Sequence, residues 1–458
     1  MNILIPQEIK KIEYCPVGHS SKDYKNFISY GRCSLCTKEH FIQEFKTWSS
    51  GNANIDKIIR ESQMNDIGDK KLDWIPYDNF QNIEYIADGD HGSVYSAKLE
   101  NGIKWDWNFV KKNWEYHSIG KKVALKEIKD SRYDIAEFLE VVKTINFTKS
   151  FVEYYGFSKN PSTQNYIFIM VLFDDNLHNF LTKKFWDLGW GQKINILFSI
   201  TASLERLHEK NLVHCDLRGD NIFINNDVIN LDLYKLKNDL ILENNNKNNE
   251  TYGSIPYIPP EVLRGNEFKI DGDIYSFGGI MYEIVAAQRP FADQAHDTYL
   301  MIDICNGVRP KVPDLMLNWI PEWYLDLMYR CWSDDPSERP TAIELTNLFW
   351  GIYRKRMYHI VDDVMRQLKI ADENQQNISK FQKQELFSYL NKLHPQSWYI
   401  DRYIHTLHGL HDLLEEIKSG KSSDPNLLKP NKSTTSSVNT HNNDVETEIK
   451  SKQENIIL

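Results

Sequence analysis

The 458-residue sequence has no long hydrophobic run, and its longest apolar stretch covers only residues 166–173. A membrane-spanning helix needs about 20 apolar residues, so no membrane span is expected. The first residues, MNILIPQEIKKIEYCP, show no charged segment followed by an apolar one, and a secretory signal is therefore not expected. Only six cysteines occur, too few for a disulfide framework in a chain of this size. These shortages predict a cytoplasmic protein, with the nucleus as the alternative.

An excess of positive charge is also absent. The chain has 54 Lys and Arg residues against 64 Asp and Glu residues, which gives a formal net charge of −10. This balance argues against a protein that coats nucleic acid. Hydrophobic residues make up 41% of the chain and aromatic residues 12%. That content is sufficient for a large core and excludes a wholly disordered chain.

Composition separates the chain into parts that we expect to fold differently. Residues 1–73 form a leader with three of the six cysteines and a short amphipathic helix predicted at residues 55–64. Residues 80–353 are dense in aromatic and apolar side chains, and residues 354–418 show helical periodicity. Residues 419–458 are dominated by Ser, Thr, Asn, Lys and Asp. They cannot bury enough apolar surface to offset the entropy of ordering and are predicted to be disordered.

Within residues 80–353 the pattern changes from strands to helices. The sequences YIADGDHGSVYSAKLE, KKVALKEI and NYIFIMVLF are typical of short strands. The sequence INILFSITASLERLHEK repeats apolar residues at helical spacing, with Ile196, Ile200, Leu204 and Leu207 on one face. Strands first and helices second predict an α+β arrangement in two lobes.

Two features near the start of this region suit phosphate binding. Gly89 and Gly92 follow a strand, and glycine lets the backbone approach a phosphate closely. Lys126 lies in the apolar strand VALK and has the charge to neutralise phosphate. Each signal alone is weak, because two glycines more often form a hairpin turn and a strand lysine is more often a surface residue.

The sequence HCDLRGDN is more specific. It provides the carboxylate of Asp216, the cation of Arg218 and the amide of Asn221 directly after an amphipathic helix. A carboxylate can accept the proton of an attacking hydroxyl, a cation can steady a phosphoryl group, and an amide oxygen can bind Mg²⁺. Asp232 follows eleven residues after Asn221 and supplies the second carboxylate that a metal bridging two phosphates requires.

Together these motifs resemble a eukaryotic protein kinase domain of the tyrosine-kinase-like group. More narrowly, the Trp-containing lead-in at residues 74–77, the insert at residues 105–107 and the HCDL sequence are similar to an expanded fungal kinase-like family. The resemblance implies a bilobal fold, with a small β-rich N-lobe over residues 80–173 and a larger helical C-lobe over residues 174–353.

The resemblance also implies an ATP-dependent protein kinase and a role for each matched residue. Asp216 would be the catalytic base, Asn221 and Asp232 the Mg²⁺ ligands, Lys126 the partner of the α- and β-phosphates, and Arg218 a contact of the γ-phosphate. The residues expected around the nucleotide are Ile86, Gly89, Gly92, Val94, Ala124, Met170, Val171, Phe173 and Phe223. For the apolar members of this set, an ordinary place in the core is the alternative.

Three structural residues complete the resemblance. Glu261, in a Pro-Glu pair, resembles the end of an activation segment, and Arg339 resembles its buried partner. Asp273 resembles the aspartate at a helix start that holds the catalytic loop through backbone hydrogen bonds.

Several positions depart from the kinase pattern. Ala87 replaces the usual first loop glycine, and Tyr234 replaces the glycine of the Asp-Phe-Gly motif. Val141 stands where a glutamate partner of Lys126 is usual, and Glu137, one helical turn earlier, is the favoured substitute. Cys215 replaces the arginine that reads activation-loop phosphorylation, so strict control by that route is not expected.

Two hypotheses therefore stay open. The first is an active kinase, expected to be Ser/Thr-specific because residues 253–261 resemble the Ser/Thr-kinase substrate platform. Tyrosine specificity is the alternative, because an arginine two residues after the catalytic aspartate, here Arg218, also occurs in some tyrosine kinases. The second is an inactive pseudokinase that acts as a nucleotide-binding signalling scaffold, which the departures at Ala87, Val141 and Tyr234 favour. Protein substrates are the expected partners in the first case, and no nucleic-acid partner is expected in either.

Two further features lie outside the kinase-like region. Cys15, His19, Cys33 and Cys36, within residues 12–40, have spacing suited to a structural zinc site, with His40 as an alternative ligand and free thiols as the alternative state. Near the C-terminus, apolar residues recur at helical spacing and predict a helix that packs on the C-lobe or binds a signalling partner: Ile404, Leu407, Leu410, Leu413 and Leu414.

Overall fold

A computed structural model describes most of the chain outside its two termini. The described residues are 14–23, 26, 28–64, 71–89, 92–131, 135, 139, 153–225, 228–231, 237–238, 250–390, 392–399 and 402–428. None of the helices in these ranges combines the length and the apolar character needed to cross a membrane.

The leader folds into small elements that pack on the following lobe. These elements are β1 (Ile28–Ser29), β2 (Arg32–Cys33), α1 (Ser34–Glu44), α2 (Ala53–Met64) and β3 (Asp73–Trp74). Helix α2 is the predicted amphipathic helix, and its apolar face is buried in the main core through Ile55, Ile58 and Ile59.

The next seven strands form the N-lobe: β4 (Phe80–Gly89), β5 (Gly92–Leu99), β6 (Ile103–Asn108), β7 (Asn113–His117), β8 (Lys122–Ile128), β9 (Tyr154–Lys159) and β10 (Tyr166–Val171). Five of them join β3 in a sheet of order β3-β9-β10-β8-β5-β4, in which only the β3–β9 pair is parallel. The other two, β6 and β7, continue the small sheet of the leader in the order β1-β2-β6-β7.

The larger lobe is mainly helical. Its strands are β11 (Asp175–Asn176), β12 (Leu212–Val213), β13 (Ile222–Asn225), β14 (Val228–Leu231), β15 (Lys237–Asn238) and β16 (Glu250–Gly253). Its helices are α3 (Leu177–Lys184), α4 (Trp190–His208), α5 (Pro260–Arg264), α6 (Ile270–Ala286), α7 (Thr298–Cys305), α8 (Glu322–Cys331) and α9 (Ala342–Met357). Helix α4 buries the four predicted apolar residues, and α9 starts at a capping box of Thr341 and Glu344. The predicted α+β fold in two lobes is thereby confirmed.

The remaining elements are α10 (Asp363–Gln376), α11 (Lys380–Leu390), β17 (Arg402–His405) and α12 (Leu414–Lys418). Helix α10 packs on the C-lobe, where Asp372 accepts a hydrogen bond from Trp190 N at 2.7 Å. The helical face predicted over residues 404–414 is wrong, because Ile404 belongs to a strand. The described structure also continues to residue 428, past the boundary predicted at residue 419.

Gly156 marks the place where β3 joins the sheet. It has φ +152, and a Cβ atom at this position would lie 1.9 Å from Asp73 O. We expect Gly156→Ala to lower the free energy of unfolding by about 2–4 kcal/mol, because the side chain would be strained at this φ and would displace β3. Urea denaturation followed by fluorescence would measure this loss.

Gly351 provides the matched control for this experiment. It lies within helix α9, and a Cβ atom there would meet nothing within 4 Å. Gly351→Ala should therefore raise stability by about 0.5–1 kcal/mol, since alanine is the better helix former. Equal stability of the two variants would show that the close approach of β3 and β9 does not constrain residue 156.

Candidate active site

The catalytic-loop sequence is held in place by a buried carboxylate. Asp273, in the first turn of α6 and fully buried, accepts hydrogen bonds from His214 N at 2.8 Å and from Cys215 N at 2.9 Å. A third contact of 2.9 Å joins its Oδ2 to His208 Nε2 at the end of α4. Cys215 has φ +64, a left-handed conformation that the two backbone bonds help to fix. The predicted role of Asp273 is confirmed.

This loop brings three of the predicted catalytic residues together. Asn221 Nδ2 donates to Asp216 Oδ2 at 2.6 Å and to Asp216 O at 2.9 Å. The Nε atom of Arg218 lies 3.6 Å from Asp216 Oδ1, and the Asp216 and Arg218 side chains are each 11% exposed. A carboxylate held between an amide and a guanidinium keeps a fixed orientation.

The N-lobe places the predicted nucleotide residues around strand β8. Lys126 pairs in register with Val94 on one side and Phe168 on the other. Ala124 is opposite Met170, and both side chains are buried.

The remaining nucleotide candidates lie at the rim of this region. Phe173 stacks on Phe223, with ring centroids 5.3 Å apart and an interplanar angle of 18°. Val171 is half-buried at the end of β10, and Ile86 is 48% exposed on β4. The residues predicted to surround the nucleotide thus lie along the N-lobe sheet and at the start of the larger lobe.

The two candidate loop glycines pair with each other at the ends of β4 and β5. Gly92 has φ +150, and a Cβ atom there would lie 1.8 Å from Glu127 O. The close approach of β5 and β8 is therefore sufficient by itself to require glycine at position 92. Asp232, Tyr234, Glu137 and Val141 lie outside the described residues.

A buried acid that the sequence interpretation missed joins the loop to residues 253–261. Glu283 is fully buried and accepts hydrogen bonds from Gly219 N at 3.2 Å and from Tyr257 Oη at 2.7 Å. Burial, together with the nearby carboxylate, raises the pKa of Tyr257 well above its usual value, so the phenol stays a donor. In the sequence, the signal for a buried role of Glu283 was its position as the single acid in the apolar stretch IMYEIVA.

The predicted activation-segment pair is also confirmed. Arg339 donates to both carboxylate oxygens of Glu261, at 2.7 and 2.8 Å. The side chain of Arg339 is fully buried, and it donates further bonds to Asp271 O and Ser333 O. This bidentate pair anchors the start of α5.

The cysteine cluster of the leader forms a compact set of potential metal ligands. The ligand atoms of Cys15, His19, Cys33 and Cys36 all lie within 4.8 Å of one another. His19 Nδ1 is 3.5–3.6 Å from each sulfur atom, and the Cys15 and Cys36 sulfurs are 3.5 Å apart. A tetrahedral zinc with ordinary Zn–S and Zn–N bonds has edges of about 3.4–3.8 Å. The donor set therefore fits zinc.

The surroundings of the cluster support the same interpretation. His19 Nε2 lies 3.2 Å from Glu39 Oε1, the carboxylate–histidine contact that orients a metal-binding imidazole. His40, the alternative ligand, instead stacks on Trp107 at 3.6 Å between ring centroids.

A β-rich lobe, a helical lobe and a catalytic loop fixed by Asp273 define the bilobal protein kinase fold. The chain belongs to the protein tyrosine and serine/threonine kinase family, whose model matches residues 80–349, more than half of the chain. Active members of this family transfer the γ-phosphate of Mg²⁺·ATP to protein hydroxyls.

Curated relatives are similar at modest identity. The chain is 26% identical over 310 residues to the probable serine/threonine-protein kinase roco5 of Dictyostelium discoideum, and 26% identical over 322 residues to the probable serine/threonine-protein kinase kinX of the same organism. It is 24% identical over 287 residues to the putative serine/threonine-protein kinase/receptor R826 of Acanthamoeba polyphaga mimivirus.

These alignments cover 64%, 66% and 55% of this chain. They cover only 10%, 26% and 17% of the respective relatives, so most of each relative has no counterpart in the aligned region. The narrower resemblance to a fungal family stays a prediction.

Proposed function

We propose that the chain is an active ATP-dependent protein kinase that phosphorylates Ser and Thr hydroxyls. The observation that carries this proposal is the contact of Asn221 Nδ2 with Asp216 Oδ2 at 2.6 Å on a loop fixed by Asp273. A carboxylate beside an amide is the arrangement that in-line phosphoryl transfer uses to accept a proton and to hold Mg²⁺.

Each of the proposed site residues has a separate role in phosphoryl transfer. Asp216 orients the substrate hydroxyl and accepts its proton, and Arg218 stabilises negative charge next to it. The amide oxygen of Asn221, together with Asp232, would hold Mg²⁺, while Lys126 would bind the α- and β-phosphates. Bound Mg²⁺·ATP supplies the phosphoryl group and neutralises its charge. In-line transfer depends mainly on positioning and electrostatics, and the chain retains each of these side chains.

Two observations support Ser/Thr specificity. Residues 253–261 are similar to the substrate platform of Ser/Thr kinases. The names of the relatives roco5 and kinX also contain serine/threonine-protein kinase.

Phosphate incorporation from radiolabelled ATP tests the proposal. The purified chain should label itself or a randomised peptide library in the presence of Mg²⁺, and mass spectrometry should locate the label on Ser or Thr. Binding of Mg·ATP is measured separately as an increase in melting temperature. An increase in melting temperature without label on any substrate would reject the kinase and favour the inactive scaffold.

We also propose that Cys15, His19, Cys33 and Cys36 bind one structural zinc ion. Because Cys33 and Cys36 flank the junction of β2 and α1, the ion would fix β2, the strand through which the leader pairs with β6. The protein purified from zinc-supplemented medium should contain about one zinc per chain, as a closed four-ligand site predicts.

Cys36→Ser should remove most of this zinc and lower the melting temperature, as measured by elemental analysis and thermal denaturation without nucleotide. Two matched controls are available. Cys305→Ser changes a cysteine of the C-lobe, and His40→Ala removes the alternative ligand named above; both should retain zinc. Full zinc content in Cys36→Ser would contradict the assigned ligand set.

A further inference from the structure

A segment near the C-terminus lies on the face of the C-lobe that carries the catalytic loop. We call residues 392–399 and 402–428 the C-terminal segment. Strand β17 of this segment pairs antiparallel with β16, from Glu250 opposite His405 to Gly253 opposite Arg402. Gly253 is also the first residue of the region similar to a substrate platform. The segment therefore occupies the edge along which an extended peptide would add as a strand.

A second contact places the segment next to the catalytic carboxylate. Arg218 Nη1 donates a hydrogen bond to Tyr399 O, while Arg218 Nε lies 3.6 Å from Asp216 Oδ1. The side chain of Arg218 therefore contacts both the backbone of Tyr399 and the carboxylate of Asp216. A protein substrate that presents a hydroxyl to Asp216 must enter this same space.

The ring of Tyr399 fills a pocket beside the loop. Its centroid lies 4.8 Å from the guanidinium carbon of Arg289, and Arg289 forms an ion pair with Asp220 of the catalytic loop. Tyr257 meets the ring edge-on at 6.5 Å. The Tyr399 hydroxyl donates to Pro290 O at 2.9 Å, so it is bonded to the pocket and is not offered to Asp216 as an acceptor of phosphate.

Residues after Tyr399 attach the C-terminal segment to the C-lobe. Ile404 is fully buried and belongs to the main core. Asp424 accepts hydrogen bonds from Thr298 N and Thr298 Oγ1 at 2.8 and 2.6 Å. Asn426 pairs with both backbone groups of His405 at 2.9 Å and so extends the ladder beyond β17.

From these contacts we infer that the C-terminal segment is an intramolecular inhibitor that competes with protein substrates for the platform. This inference rests on the proposed kinase function. It further implies that substrates bind as an extended strand along β16 and place an aromatic residue in the pocket that now holds Tyr399.

The test compares full-length variants on a randomised Ser/Thr peptide library. Ile404→Asp should release the segment and raise kcat/KM for peptide by about tenfold or more, the usual range for coupled sites, with KM for ATP unchanged. Leu393→Asp is the matched control, because it introduces the same charge in the C-terminal segment, outside β17, at a position that is 62% exposed. It should leave peptide kinetics near the wild-type values.

A second route keeps the proposal testable if Ile404→Asp does not fold. Asp424→Ala removes the hydrogen bonds that the carboxylate accepts from Thr298 and from Asn426 N, and it should activate in the same direction. A synthetic peptide of residues 396–407 should then inhibit Asp424→Ala competitively against peptide substrate but not against ATP. The same peptide with Tyr399→Ala should inhibit less.

The outcomes separate the two claims. If the wild type phosphorylates peptides and the folded variants show unchanged peptide kinetics, the inhibitory role is wrong and the kinase function stands. If no form of the protein transfers phosphate although Mg·ATP still raises the melting temperature, the kinase function is wrong, and the inhibitory role is overturned with it.

Discussion

Asp216→Asn is expected to reduce phosphate incorporation by roughly 10²–10⁴-fold, the contribution usual for a positioned general base. Asparagine has nearly the same shape and still offers an oxygen to Asn221 Nδ2, which donates to Asp216 Oδ2 at 2.6 Å in the wild type. The substitution removes the negative charge that accepts the proton and pairs with Arg218. The loss should therefore appear in kcat for transfer, with little change in the affinity for Mg·ATP.

Radiolabel incorporation and nucleotide-dependent thermal stabilisation should be measured on the same preparation. Asp314→Asn is a suitable control, because that carboxylate is 77% exposed on the C-lobe surface and pairs with the exposed Lys311. The control should retain wild-type transfer. Transfer by Asp216→Asn at the wild-type rate would assign the measured activity to another group or to a contaminating kinase.

Glu261→Ala should have the largest effect on stability. It leaves the fully buried guanidinium of Arg339 without its carboxylate partner. Removal of one member of a buried pair costs about 3–5 kcal/mol, which corresponds to a decrease in melting temperature of roughly 6–20 °C for a domain of this size. Differential scanning calorimetry would measure the decrease.

The double variant Glu261→Leu/Arg339→Met separates charge burial from packing. It removes both charges and should recover much of the lost stability, since no ion is then left buried without a partner. Asp363→Ala is the matched surface control, because it breaks an exposed pair with Arg366 and should leave the melting temperature nearly unchanged. If the double variant is as unstable as Glu261→Ala, packing rather than charge is the cause of the loss.

Several parts of the site were predictable because the relevant signals are local in sequence. Asp216, Arg218 and Asn221 lie within six consecutive positions, and a short loop can bring such residues together with little freedom. The spacing of Cys33 and Cys36 likewise places both sulfurs at one helix start. The roles of Asp273 and Arg339 came from the family resemblance, and the hydrogen bonds of both residues confirm them.

The interpretation of Gly92 shows the limit of such motifs. The sequence suggested a phosphate-binding glycine, while the structure shows a position where Glu127 O leaves no room for a Cβ atom. Both causes select glycine, so the residue type alone does not separate them. Glu283 was missed for a related reason, since its partners Gly219 and Tyr257 are 64 and 26 residues away along the chain.

The sequence by itself determined the family of this protein, its two-lobe fold and the set of side chains suited to phosphoryl transfer. Only the tertiary structure decided that Tyr399 lies against the catalytic loop and that Ile404 joins a strand instead of a helix. The physical reason is that a short strand is stabilised by its partner, here β16, which lies about 150 residues earlier in the chain. Such pairing depends on a partner strand that is distant in sequence, and the periodicity of the local sequence does not indicate that partner.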